Sequence, residues 1–474
     1  MKRTTILIPA ALLVAGLSLV IACAGTLDLQ IETTPAAETT IAALEKETSR
    51  LATEVAHQRA QLGRLVYLQG GDIWVKELPD GEPRRFTTDG RNSQPRWSPS
   101  GEWLAFRKGD RDRVWITRAD GETSRRANRG DPVDAFAWSP VEDRLAVVDG
   151  INGELRVESP APGDSTVLVG ETWSDPATSP PEEARRVEAI AWSPEGTSIA
   201  FTVRQQPRQA GEATDPPSYQ GIWIVPVDGG EVEQLYDSRV PERGAAHLSG
   251  WTADGTYLLF WQGEILSASI MADGVPLYTL PVDGGEPFQV TNAVLYHQDF
   301  VVPAPTGAGN AVVAGAARST WTNKRIAVAQ PNAGLTYVTP EDVAAVSPAW
   351  SPDGARLAYS AMPDRAEVVG GEPARQALMD RSLSVIDADG GEPRQLTEDP
   401  DYRDERPLWS AEGSYLLFAR LDADQRASLW IVPVERGKAQ QVVEELTPAP
   451  EWFGTYGHIE WSQWFDWWRG HGDE

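Results

Sequence analysis

The chain has 474 residues, room for several ordinary domains or one large repeat architecture, and its 41% hydrophobic content is enough to bury a core. Asp and Glu number 69 against 42 Lys and Arg, a formal charge of -27 that argues against a nucleic-acid partner, because phosphate binding needs a basic surface. Cys23, the single cysteine, excludes an internal disulfide framework and any multi-cysteine metal site, and the histidines at 57, 247, 297, 458 and 471 show no metal-ligand spacing.

The chain opens with Lys2 and Arg3 ahead of an apolar run from Ile6 to Ala24, the charged and hydrophobic regions of an export signal. The run ends in Val20-Ile21-Ala22-Cys23, which resembles the bacterial lipoprotein cleavage box. That resemblance implies a signal over 1–22 and Cys23 as the lipidated first residue of the mature protein. Several acyl chains on one residue would hold the chain stably on a membrane, whereas a single chain anchors only marginally. An uncleaved spanning helix is the alternative, since the run approaches the ~20 residues needed to cross a bilayer. Both readings put the body outside the cytoplasm, in the periplasm or on the cell surface, because basic flanks stay inside. Residues 23–40 read as a flexible spacer rich in Thr, Ala, Pro and acids. Residues 41–62 read as a helix with Ile41, Leu44, Leu51, Val55 and Leu62 at heptad positions, but Thr48 and Gln58 interrupt the seam, so a lone amphipathic helix and a self-associating stalk fit equally well.

From residue 63 onward a unit recurs: a Trp, a Ser-Pro-x-Gly turn and an apolar triplet. It reads Trp97-Ser-Pro-Ser-Gly101 with Leu104-Ala-Phe106, and Trp138-Ser-Pro140 with Leu145-Ala-Val147. Further copies begin at Trp192, Trp251, Trp350 and Trp409, each followed four residues on by Gly196, Gly255, Gly354 or Gly413. Between Trp251 and Trp350, the segments Val301-Val302, Ala304-Pro305-Thr306-Gly307 and Ala311–Val313 form a degenerate copy without the Trp. A second strand pair follows in each unit around Asp228-Gly-Gly230, Asp283-Gly-Gly285 or Asp389-Gly-Gly391, and Asp-Gly between apolar runs predicts a type I′ hairpin. Four short antiparallel strands per ~40–50 residues match a propeller blade.

These motifs resemble the TolB-like, WD-like β-propeller family over 63–468, with 469–474 as a tail. The resemblance implies an all-β fold of four-stranded antiparallel blades and a rigid extracytoplasmic platform for protein association. Three strands at the start, Leu65–Tyr67, Ile73–Val75 and Pro83–Phe86, lack a leading strand, and His458-Ile-Glu-Trp461-Ser462 reads as a leading strand without followers. Joining them closes the ring and removes its open edges, giving eight blades, or seven if the degenerate copy forms none.

The loops within strand pairs are short, whereas those between pairs and between blades carry long insertions at 170–186, 205–220, 263–275, 361–381 and 398–405. Binding residues concentrate on loops held by a rigid scaffold, so the partner surface is expected there, with Trp173, Tyr219, Asp399, Asp401, Asp404 and Glu405 as candidates. The acidic group offers oxygen ligands for calcium but lacks EF-hand spacing, and a solvated loop is the expectation, with no metal or cofactor. The aromatic-rich end, Trp452, Phe453, Tyr456, Trp461, Trp464, Phe465, Trp467 and Trp468, reads as ring closure, with an exposed platform as the alternative. No nucleophile elbow, P-loop, dinucleotide fingerprint or H-E-x-x-H occurs. The resulting expectation is a lipid-anchored, non-catalytic scaffold that binds an envelope or secreted protein, the alternative being a glycan-binding or glycan-cleaving surface protein.

Overall fold

In the computed structural model the described residues are 62–470 without 131, 151–152, 162, 171–183, 207–217, 239–244, 264–272, 436 and 452–453, together with 43, 46 and 50. The signal, the spacer and most of the 41–62 helix lie outside them. Among the described residues no helix is long and apolar enough to cross a membrane. Residues 61–474 form one compact unit and 1–60 another.

One device builds the turn that follows the repeated Trp at Trp97, Trp192, Trp350 and Trp409. The Ser hydroxyl accepts a backbone N–H past the turn, from Trp103 to Ser98 (3.2 Å), Ser198 to Ser193 (3.1 Å), Arg356 to Ser351 (2.9 Å) and Tyr415 to Ser410 (3.1 Å). The Gly N–H then closes onto the Ser carbonyl, and the Gly takes a left-handed φ near 70°. Only glycine does this without strain, which explains the Gly four residues after Trp97, Trp192, Trp251, Trp350 and Trp409.

The strands assemble into blades in chain order. Blade 2 is Asn92–Trp97, Trp103–Lys108, Arg113–Arg118 and Ser124–Arg126, and blades 3, 4, 5, 7 and 8 start at Val133–Trp138, Ala184–Trp192, Ala246–Trp251, Val343–Trp350 and Tyr402–Trp409. The degenerate copy forms blade 6, with Val301–Pro303, Asn310–Ala314, Arg325–Gln330 and Gly334–Tyr337, joined to blade 5 by the bridge Val294↔Ala314. Blade 1 is composite: the C-terminal strand Phe465–Trp468 pairs with Arg64–Gln69, which continues into Asp72–Glu77 and Arg84–Arg85. The described residues therefore form an eight-bladed β-propeller.

Second strands such as Leu145–Asp149 are buried along their whole length, because a neighbouring blade covers each face, so they read as continuous apolar runs. Fourth strands form the rim. Several are short, polar and exposed, as in Arg84–Arg85 and Arg394–Gln395, which blunts those outer edges.

A ladder of indoles links the blades. Trp138, Trp192, Trp251, Trp350 and Trp409 each donate Nε1–H to a carbonyl of an earlier first strand, at Arg96 (3.2 Å), Ala137 (3.0 Å), Ala191 (3.0 Å), Val302 (3.1 Å) and Ala349 (2.9 Å). In four of the five the acceptor is the residue just before the preceding Trp, so the repeated Trp packs and registers the blades. Three residues before Trp97, Trp350 and Trp409 the strand bulges, with Gln94, Ser347 and Arg406 at φ 53°, 55° and 55°.

Two expectations are corrected. The leading strand of blade 1 is Phe465–Trp468 and not His458–Ser462; Trp467 faces Leu65 as Trp97 faces Leu104. Trp461-Ser462 copies the Trp-Ser of the repeat, but Trp461–Gln463 is a 3-10 turn. The Asp-Gly-Gly turns are not type I′, because positive φ falls on both glycines (87° and 152° at Gly229 and Gly230) and not on Asp228. Gly229 N–H closes onto Pro226 (3.1 Å), which makes a longer turn with the Asp at ordinary φ.

Trp461, Phe465 and Trp467 are buried in the largest apolar cluster with Leu65, Leu417 and Leu429, so the described aromatics of the C-terminal segment close the ring. We expect a chain ending at Gln463 to lose its single cooperative melting transition and to aggregate through the exposed edge of Arg64–Gln69. Size-exclusion chromatography and thermal circular dichroism check this; a monodisperse, cooperatively melting truncation would refute it.

Candidate functional site

Where first strands of the repeat normally carry small residues before the Trp (Ala137, Ala191, Gly250, Ala349), blades 1 and 2 carry Asp466 and Arg96. These two, with Arg406, Leu408, Ser462, Phe465, Trp467 and Arg469, line a cavity of ≈ 250 Å³ between blades 8, 1 and 2. Asp466, Trp467 and Arg469 also line an open cavity of ≈ 460 Å³ with Trp97, Pro99, Pro352 and Ala411, so this end opens on the Ser-Pro turn face. Asp466 accepts from the N–H groups of Trp97 (2.8 Å) and Trp467 (2.9 Å). Beside it Arg64 lies between two indoles, 4.9 Å from the Trp97 ring and 4.5 Å from that of Trp468.

Arg406 continues the polar file away from that mouth. Its Nη1 lies 3.4 Å from Asp299 Oδ2, and Asp299 Oδ1 lies 3.2 Å from His458 Nε2. The rings of His458 and His297 lie 4.0 Å apart between centroids, tilted by 49°, with Phe300 edge-on to both. Burial alone would raise Asp299, but His458, Arg406 and His297 outweigh it and hold the carboxyl well below its ordinary range. Burial first, then the neighbouring His458, pushes His297 down to about 3, and burial pushes His247 down to about 4.

Next to this file is a second buried group. Glu405 Oε1 accepts from Arg381 and from Arg403 Nε (2.7 Å), and Glu405 Oε2 accepts from Trp461 Nε1 (2.9 Å). Arg381 also donates to Gly457 O (2.9 Å) and Thr320 Oγ1 (2.6 Å), and Arg403 to Gly457 O (2.8 Å). Burial would raise Glu405, and Arg403 and Arg381 outweigh it, so the carboxylate stays charged.

The surface candidates separate. Asp399 is half-buried and Asp401 exposed on the loop before blade 8. Asp404 and Glu405 are buried inside the strand Tyr402–Trp409, Asp404 held by both Arg420 Nε (2.7 Å) and Nη2 (2.9 Å), so they are corrected from solvated loop to blade interior. Their acidity suggested a loop, but paired arginines allow a charged strand to be buried. Trp173, the side chain of Tyr219 and Cys23 lie outside the described residues. Among the described residues no group of His, Cys, Asp and Glu is placed to hold a metal ion. Sequence reasoning missed His297 and Asp299 on the segment entering blade 6, Arg406 of blade 8 and His458 of the closing segment, which the fold brings together from three distant stretches of chain. The available signal was Arg96 and Asp466, the charged exceptions before the repeated Trp.

No family model matches the chain, and no curated protein matches it. Solved structures share its fold. The chain is similar to Porphyromonas gingivalis dipeptidyl peptidase 4 at 11% identity with a TM-score of 0.55, covering 82% of this chain and 60% of that one. It thus spans about three-fifths of the peptidase's length. It is similar to the dihydro-heme d1 dehydrogenase NirN in complex with DHE at 14% identity and a TM-score of 0.53, covering 81% and 74%. TolB from Acinetobacter baumannii matches at 14% identity and a TM-score of 0.34, covering 80% of this chain and 66% of that one. The expectation of a non-catalytic chain is corrected here, because the solved structures that share its fold include a dipeptidyl peptidase and a dehydrogenase. Absent sequence motifs do not argue against catalysis in a fold whose sites are assembled from separate blades.

His297 and His247 are neutral in the folded state, while unfolded imidazoles protonate near 6.5. Below pH 6.5 the unfolded chain binds protons the folded chain refuses, so stability is full above that pH and falls as pH drops toward 4. Each imidazole contributes up to about 1.4 kcal/mol per pH unit. Urea denaturation between pH 7.5 and 4.5 should show this slope, and His297→Phe should remove roughly half of it; an unchanged slope would refute the assignment.

Proposed function

We propose that the chain is a lipid-anchored, extracytoplasmic β-propeller that binds an envelope or secreted protein on the face carrying the loops between strand pairs and between blades. The observation that carries this reading is the blade 7 insertion. Its helix Gly371–Met379 buries Ala374, Ala377 and Leu378 in the main core cluster, and Val368 O is held by Trp321 Nε1 at 2.9 Å. The neighbouring Val369 is left 97% exposed, the most exposed of the large hydrophobic side chains described. A loop fixed at its base with an apolar tip in water suits protein contact, since ordering it on binding costs little. Anchoring by Cys23 would set this ring on the outer side of a membrane.

A photocrosslinking residue at Val369 is expected to trap an envelope protein that the same residue at Val141, 55% exposed in a Ser-Pro turn on the other face, does not. The reverse pattern would sink the reading. Cys23→Ser is expected to move the chain from the membrane fraction to the soluble fraction, and retention in the membrane would rule out the lipid anchor.

A second reading, acid–base cleavage of a glycan, is favoured by the Asp299–His458–His297 file beside an arginine-lined cavity. Incubation with neutral and acidic oligosaccharides should then release new chain ends, and His458→Gln should abolish that release without lowering the melting temperature. Equal release by both proteins, or none by either, would dismiss this reading.

A further inference from the structure

The guanidiniums of Arg96, Arg406 and Arg469 converge on the ≈ 250 Å³ cavity, against one carboxylate in its wall, Asp466. Each guanidinium offers five N–H donors, and few are engaged by protein. Arg96 Nη1 donates to Pro95 O (2.8 Å) and Ser462 O, Arg469 Nη1 to Trp409 O at 3.4 Å, and Arg406 Nη1 lies 3.4 Å from Asp299. Both Asp466 oxygens are already accepting backbone N–H groups. Asp299 and Glu460 offset part of the charge from outside the wall, but Asp299 is shared with His458, and Glu460 is exposed to water.

The like charges strain one another. Burial lowers Arg96, the facing Asp466 carboxylate raises it, and the neighbouring Arg406 lowers it further. A trio of arginines in a chain of net charge -27 concentrates positive potential where the surface is otherwise acidic, and such focusing draws in small anions. The cavity is below the ≈ 300–1,000 Å³ that drug-sized ligands occupy, so its occupant is small. The planar fork of arginine matches phosphate and carboxylate oxygens.

We propose that the cavity binds one small dianion, a phosphate or a dicarboxylate, held by Arg96, Arg406 and Arg469 and admitted through the mouth on the Ser-Pro turn face. This site is independent of the protein-binding face proposed above, which lies at the other end of the ring.

Isothermal titration of the purified chain at low ionic strength tests it, with inorganic phosphate and succinate as separate probes and acetate as the monoanion control. Saturable one-to-one binding of phosphate, succinate or both, with no saturable binding of acetate, is expected, and the two arms identify which dianion fits. Arg469 is exposed and among the described residues its only hydrogen bond is the long one to Trp409, so Arg469→Gln should fold normally and weaken binding by about tenfold, the loss of one charge-assisted interaction. Arg469→Lys should retain part of the affinity, and Arg96→Gln should lose as much as Arg469→Gln. Failure of both dianions to saturate, or equal affinity in the wild type and Arg469→Gln, would overturn the proposal.

Discussion

Everything in this molecule depends on the pairing of Phe465–Trp468 with Arg64–Gln69. A ring of blades has no stable end, and here the first blade lacks its inner strand until the last residues of the chain supply it. Bringing those ends together closes a loop of some 400 residues at an entropic cost of about 5 kcal/mol, since the cost grows only as the logarithm of length. Burial of Trp461, Phe465 and Trp467, at ~1.5–3 kcal/mol each, offsets it. Further contacts lock the seam: Leu68 N–H to Trp464 O (2.9 Å), Gly71 N–H to Thr447 O (3.0 Å) and Lys76 Nζ to Val442 O (2.9 Å).

The segment that closes the ring also brings chemistry to its centre. Asp466 and Arg469 reach the cavity, His458 reaches Asp299, and Gly457 and Trp461 reach the Glu405 group, all from the last turns of the chain. Glu405 gathers blade 8, the blade 7 insertion through Arg381, the blade 6 loop through Thr320, and the closing segment. Breaking such a buried charged group leaves uncompensated charge, at a cost of several kcal/mol, so its value lies in fixing one arrangement of these four pieces. The central site is therefore complete only in the closed ring.

Much of the fold was legible because its devices are local. The Ser hydroxyl and the left-handed Gly explain why Ser-Pro-x-Gly recurs, and Gly307 at φ 73° shows why blade 6 survives the loss of its Trp. The composite blade was legible as a count, but its strand was misplaced because Trp461-Ser462 imitates the repeat, and only pairing with Leu65 decides between Trp461 and Trp467. Asp404 and Glu405 were misread because hydrophilicity at a blade entrance signals a loop until the remote partners Arg420 and Arg381, which join the adjacent Arg403, are known. The channel site left almost no sequence trace for the same reason: its members come one or two at a time from different blades, and the periodicity that reveals the scaffold hides the exceptions carried on it.

Net charge shows how an average conceals function. A value of -27 speaks for the outer surface and argues against nucleic acid there, yet the axis of the ring holds Arg96, Arg406 and Arg469 within one small cavity. Surface acids repel a polyanion over roughly a Debye length, about 10 Å at 0.1 M salt, while a small ion that has entered a low-dielectric channel feels chiefly the groups lining it. A net-acidic propeller with a cationic axis thus selects anions by size before it selects them by charge, and it does so with a wall assembled from blades 8, 1 and 2, the three that ring closure brings together.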